Sequence, residues 1–326
     1  MAPQSFQPKT AALRNNMDVA TRHTHLLRDD GVGARISSDH YLAEPALRPS
    51  ELAYKESVCH PRGTVYRAPA DARAVAMALE HPQHSICGLS ALAVYGLRFF
   101  ADCCDTTLHG PVKRTVEATQ FTPRVTRSKR QPEWNVFFQN RRFAIVDPHR
   151  ATVEALLDIR CGNHSWPVPV VPGFEPQEIR AIQLIDAVRR HLGLSVGLVG
   201  KEARNRIERK WMEKVFAHSS ELADSPKETE MRLLCAKVCK ELGVELTEQV
   251  PLLVEGKIVT VFDLAIEDLK IAVMYDGEHH LQRKQRDRDS RVNVESTLQG
   301  WVVIRFTAGT MADAARFLKR LVETRR

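Results

Sequence analysis

The chain has 326 residues, 43% of them hydrophobic and 27% charged, which is long enough for two or three domains and too apolar for a disordered protein. No stretch reaches the roughly 18 uninterrupted apolar residues of a membrane span, and the first residues lack the apolar core of a signal peptide, so the sequence predicts a cytoplasmic protein without a membrane role. The net charge of +7 leans toward anionic partners. The seven cysteines are an odd number with no CxxC pair, which predicts buried reduced thiols rather than a disulfide framework. Cys103 and Cys104 with Cys59 and His109 lack the ligand-pair spacing of a zinc site.

Residues 1–45 are polar and weakly periodic, residues 1–70 as a domain are poorly defined, and a turn leading into a short strand is expected over 62–67. A mixed α+β region over 71–175 follows. It opens with helices at 71–80 and 90–97, the second stopped by Gly96. Residues 108–146 then alternate in the manner of strands. Asp147-Pro148 is a capping carboxylate followed by proline at the first helical position. The proline-rich stretch 166–176 reads as a linker, and helices at 176–192 and 201–217 make a helical connector over 176–222. The segment 113–142 carries a net charge of +6; Arg124, Arg127, Lys129 and Arg130 make it a candidate nucleic-acid contact, or else a solvated loop.

Residues 223–326 are the most legible and read as a small α/β domain. Ser225-Pro226-Lys227-Glu228 matches a capping box, and Met231, Leu234, Cys235, Val238 and Leu242 form one apolar helical stripe ended by Gly243. Two β-rich runs, 259–266 and 269–275, meet at Glu267-Asp268 as a hairpin; a charged helix over 284–299, a strand over 301–306 and a final helix over 309–324 complete the order.

Asp263 lies inside an apolar strand, where an isolated carboxylate is expensive. Asp276 ends the partner strand, so a hairpin that diverges at its open end brings the two acids together, a setting that suits a divalent cation. The alternative is that either aspartate reaches solvent or pairs with Arg or Lys. His280 is a candidate general base, with surface decoration as the alternative. Glu228 is a further acid with a structural reason of its own in the capping box. Arg286 belongs to a charged helix face that either is solvated or holds a DNA backbone.

The string Phe262-Asp263-Leu264, then Ala272 to His280, then Arg286-Asp287-Arg288-Asp289, then Gly300 to Phe306, resembles the very short patch repair (Vsr-like) endonucleases of the PD-(D/E)xK, restriction-endonuclease-like fold. Ser225, Pro226, Glu228 and Arg232 fit the first helix of the same family. The resemblance implies a C-terminal α/β/α domain with a Mg2+-dependent DNA endonuclease (hydrolase) scaffold. Asp263 takes the place of the core metal-binding aspartate, Asp276 that of the polar residue after the second strand, His280 that of an active-site histidine and Glu228 that of the helix acid. Met274 stands where many relatives carry a glutamate, which leaves open a scaffold without catalysis.

Gly63 to Arg67, Leu89 to Leu97 and Asp147 to Thr152 resemble the abortive-infection (AbiEi) antitoxins, which implies a DNA-contacting front end with a degenerate winged helix in 1–70 and an AbiEi-like region over 71–175. The expectation is therefore an α/β protein acting on DNA, either as an endonuclease or as a non-catalytic, antitoxin-like regulator. An unidentified protein partner with no nucleic-acid role is the third reading.

Overall fold

The computed structural model describes residues 27–28, 30–127, 133–138, 141–277 and 283–326. They are mixed α and β, and no described helix is long and apolar enough to cross a membrane. The chain divides into two compact units, one made of the described residues to Pro167 with Arg180–Ser219, the other of Val168–Ile179 with Ser220–Arg326.

The first unit opens with three two-residue strands, β1 (Leu27–Arg28), β2 (Ala34–Arg35) and β3 (Tyr41–Leu42), in the order β1-β3-β2. The expected winged helix falls partly outside the described residues. The turn expected at Arg62 forms, but the short strand after it does not; residues 63–67 carry no regular element and no ladder partner. The main sheet has the order β6-β5-β4-β8-β7, built from β4 (Ser85–Ile86), β5 (Thr107–Gly110), β6 (Arg124–Arg127), β7 (Glu133–Phe138) and β8 (Arg141–Val146). Helices Ala70–Glu80, Gly88–Val94 and Pro148–Arg160 supply its core. Asp147 caps the last of these by accepting the His149 N–H at 3.0 Å, with Pro148 at the first helical position as expected.

The helical segment expected as a connector is part of this unit from Arg180 onward. Trp166 Nε1 donates to Gln183 Oε1 at 2.6 Å, which ties the start of that segment to the chain before it, and Arg189 Nη1 donates to Ser219 Oγ at 2.9 Å, which holds its end to its own first helix. Its helices are Pro176–Leu192, Val196–Ala203 and Arg209–Ala217. The single helix expected over 201–217 is thus broken, because Asn205 adopts a left-handed conformation (φ 62°) that a continuous helix cannot contain.

The second unit runs helix Pro226–Leu242, β9 (Thr247–Val254), β10 (Lys257–Ile266), β11 (Ile271–Tyr275), helix Arg283–Leu298, β12 (Val302–Phe306) and helix Ala314–Arg325. The sheet order is β12-β11-β10-β9, antiparallel except for the parallel pair β11 and β12. β9 was not expected from the sequence. Pro251 within it argues against a central strand, and the structure places it at an edge, where a missing N–H costs least. Glu255 (φ 50°) and Gly256 (φ 76°) make the tight turn into β10, both central residues left-handed as a two-residue hairpin demands. Leu252, Phe262 and Ala272 form an apolar cluster against which Val259, Met274, Trp301 and Val303 pack.

Candidate functional site

The β10–β11 ladder runs from Ile266↔Ile271 to Leu264↔Val273 and stops there. The next acceptor is not a carbonyl. Asp263 Oδ2 takes the Tyr275 N–H at 2.7 Å, so a side-chain carboxylate stands where backbone pairing ends and the strands part. Burial disfavours its charge, and the repulsion of Glu228, Asp224 and Asp276 adds to this; together they outweigh the Tyr275 hydrogen bond and push Asp263 up to about 7. No ion pair with a described residue involves Asp263.

Glu228 reaches this place from the start of the helix Pro226–Leu242. Ser225 Oγ accepts the Glu228 N–H at 3.3 Å and donates to its Oε1 at 2.9 Å, while the Asp224 N–H donates to its Oε2 at 2.9 Å. The capping box therefore fixes both carboxylate oxygens. Arg232, one turn on, approaches Glu248 of β9, Nε to Oε2 at 3.5 Å. Asp276 follows β11 and is held twice: its N–H donates to the Phe306 carbonyl at 2.8 Å, and Oδ1 accepts Arg305 Nη1 at 3.0 Å. Of the two neighbours foreseen for Asp263, Glu228 acts on its charge more strongly than Asp276 does. Asp224, one residue before the cap, is a third acid that sequence reading missed; its position before Ser225 was the available signal.

Met274 packs, partly buried, against the Leu252, Phe262 and Ala272 cluster. His280, Lys129 and Arg130 lie outside the described residues. Arg286 lies in the helix Arg283–Leu298, its side chain likewise outside the described part. Arg124 turns to Asp158, Nη1 to Oδ1 at 3.7 Å, and Arg127 is exposed at the end of β6.

Among the described residues, the His/Cys/Asp/Glu group whose ligand atoms all lie within 4.8 Å of one another is Cys87, His109 and Glu154, in the first unit. The acids at 228, 263 and 276 are more widely spaced. The Cys87 group already closes on itself: His109 Nε2 meets Glu154 Oε1 at 3.0 Å and its Nδ1 meets Thr126 Oγ1 at 2.9 Å, which engages both ring nitrogens. Glu154 also accepts Arg150 Nε at 2.7 Å and the Gly88 N–H at 3.2 Å. Burial opposes the Glu154 charge, but His109 and Arg150 outweigh it and hold the carboxyl below its usual range. Burial pushes the Cys87 thiol well up, which makes it a poor thiolate ligand or nucleophile. These three residues thus serve as an internal polar network. His109, imagined with Cys103 and Cys104, works here instead.

No protein-family model, curated protein or solved structure matches the chain.

Proposed function

We propose that the second unit is a metal-dependent DNA phosphodiesterase of the Vsr-like, restriction-endonuclease-like class, with Asp263 at its centre. The observation that carries this reading is the position of Asp263 where β10 leaves β11, unpaired by any described cation and crowded by acids from a helix start and a strand end. The order of helix, antiparallel three-strand meander, helix, parallel strand and helix supports the class.

The donors are all oxygen, as Mg2+ demands, and a divalent cation would offset the mutual repulsion that raises Asp263, so the chemistry of the donor set fits the metal, although the three acids are spaced more widely than a closed ligand set. Asp263 and Glu228 would hold it, with Asp276 steadied by Arg305. A bound Mg2+ supplies polarisation of a phosphate and a lowered pKa for its water. The chain's own part is orientation. Tyr275 fixes one Asp263 oxygen and leaves the other for the ligand, and Ser225 with the Asp224 N–H fixes Glu228. His280 is the proposed proton acceptor. Because Asp263 must lose its proton to bind a cation, affinity rises with pH up to and through about 7.

Purified protein incubated with nicked, mismatched and plain duplex DNA in Mg2+ or Mn2+ tests this. Cleavage that disappears in Asp263→Ala is expected; no cleavage by the wild type, or unchanged cleavage by the variant, rejects it.

A second reading is a non-catalytic, antitoxin-like DNA-binding regulator that keeps this unit as a packing module. The packing of Met274 against an apolar cluster and the ion pair of Asp276 with Arg305 favour it. It expects salt-sensitive DNA binding that needs no divalent cation.

A further inference from the structure

The first unit contains a cleft of about 580 Å³ into which four arginines converge from three separate elements. Arg127 ends the edge strand β6, Arg150 lies in the first turn of the helix Pro148–Arg160, and Arg204 and Arg206 flank the left-handed Asn205 that breaks the following helical run. The first two elements are joined by the polar network: Thr126 bonds His109, His109 bonds Glu154, and Glu154 holds Arg150.

The four guanidinium groups are not equivalent. Arg150 is buried and bonded to Glu154 and to Glu202 Oε1 at 3.1 Å, and Arg206 reaches the same Glu202 at 3.3 Å. Arg127 and Arg204 are exposed and have no acidic partner among the described residues. Two cations are thus committed to the fold and two are left to face the cleft together. Converging like charges raise one another's energy, and an anion with several oxygens relieves this through charge-assisted hydrogen bonds.

We propose that this cleft seats the phosphodiester backbone of a nucleic acid. The lining contains no Phe, Tyr or Trp and a single aliphatic side chain, Leu157; its one ring, His109, is buried and bonded through both nitrogens, so the cleft offers no open platform on which a base would stack. Guanidinium groups without stacking partners position a backbone and carry no sequence preference of their own. The proposal rests on the reading that DNA is the partner, but not on catalysis by Asp263. The basic character of 113–142 is only part of this surface, because Arg150, Arg204 and Arg206 lie outside that segment in sequence.

The test is binding of a labelled 20-base-pair duplex of arbitrary sequence, followed by fluorescence anisotropy in EDTA between 50 and 200 mM salt. Each phosphate contact contributes about −0.9 to the slope of log affinity against log salt. The Arg127→Glu/Arg204→Glu double variant is expected to lose about tenfold or more in affinity at low salt and to flatten that slope by about two. Neither residue has an acidic partner among the described residues to strand, and circular dichroism checks that the fold is kept. Inorganic pyrophosphate serves as the competing probe.

Equal affinity and slope for wild type and double variant overturn the proposal, as does the absence of salt-dependent binding by the wild type. Saturable pyrophosphate binding that is lost in the double variant while DNA binding is unchanged also overturns it, in favour of a small phosphorylated ligand. A wild-type protein that binds DNA through the cleft in EDTA but never cleaves it in Mg2+ or Mn2+ sinks the nuclease reading alone.

Discussion

Glu154 in the first unit and Asp263 in the second are both carboxylates withdrawn from water, and they end in opposite electrostatic states. Glu154 meets His109, Arg150 and a backbone N–H, and its charge is held. Asp263 receives one backbone N–H and three acidic neighbours, and its charge is resisted. Burial alone does not separate a structural acid from a chemical one; the sign of what surrounds it does. A satisfied acid has nothing left to give a ligand, whereas an unmatched one is stabilised by any cation that arrives.

The comparison breaks most visibly at Glu154. Glu154→Ala leaves Arg150 and His109 in a buried site without their acid, and the expected cost is about 3–5 kcal/mol, read as a lower denaturation midpoint. The wild-type acid contributes its stability above the usual glutamate pKa, and that contribution fades as pH falls through its lowered folded value.

Asp263 has the opposite sign. Its folded value near 7 lies above the unfolded one, so the folded chain binds more protons between about pH 4 and 7 and loses stability as pH rises through that window. Asp263→Asn removes the penalty: at pH 8 the variant is expected to be more stable by about 2–4 kcal/mol, with a flatter pH profile, in metal-free chemical denaturation. A variant less stable than wild type at pH 8 would place Asp263 with Glu154 as a structural acid.

Met274→Glu sharpens the contrast with the smallest expected effect. A carboxylate there replaces a methionine packed against the Leu252, Phe262 and Ala272 cluster, and costs about 1–3 kcal/mol. Calorimetric titration with Mn2+ is expected to show no tighter binding, and tighter binding would mean that the side chain turns toward the acids.

Legibility in the sequence followed the range of the forces. The cap at Ser225, the stop at Gly243 and the Asp147-Pro148 start stood out because each rests on hydrogen bonds within a few residues. Val244 donates to the Cys239 carbonyl at 3.0 Å across Gly243 (φ 62°), a closure that glycine permits without strain. The edge strand β9 was hidden because Pro251 is tolerable only once neighbours define an edge. The break at Asn205 was hidden because nothing local forbids a helix there. Asp263 stood out as an acid in an apolar strand, but its rank among Glu228, Asp224 and Asp276 needed the fold.

By itself the sequence determined the C-terminal order of elements apart from the edge strand β9, the starts at Ser225 and Asp147 with the stop at Gly243, and the oddity of Asp263, since these depend on side-chain period and neighbouring hydrogen bonds. Only the tertiary structure decided which acids crowd Asp263, that Met274 belongs to an apolar cluster, and that Arg127, Arg150, Arg204 and Arg206 share one cleft. The reason is that electrostatic energy depends on distance in space, and strand pairing and helix breaks bring together charges that the chain keeps apart.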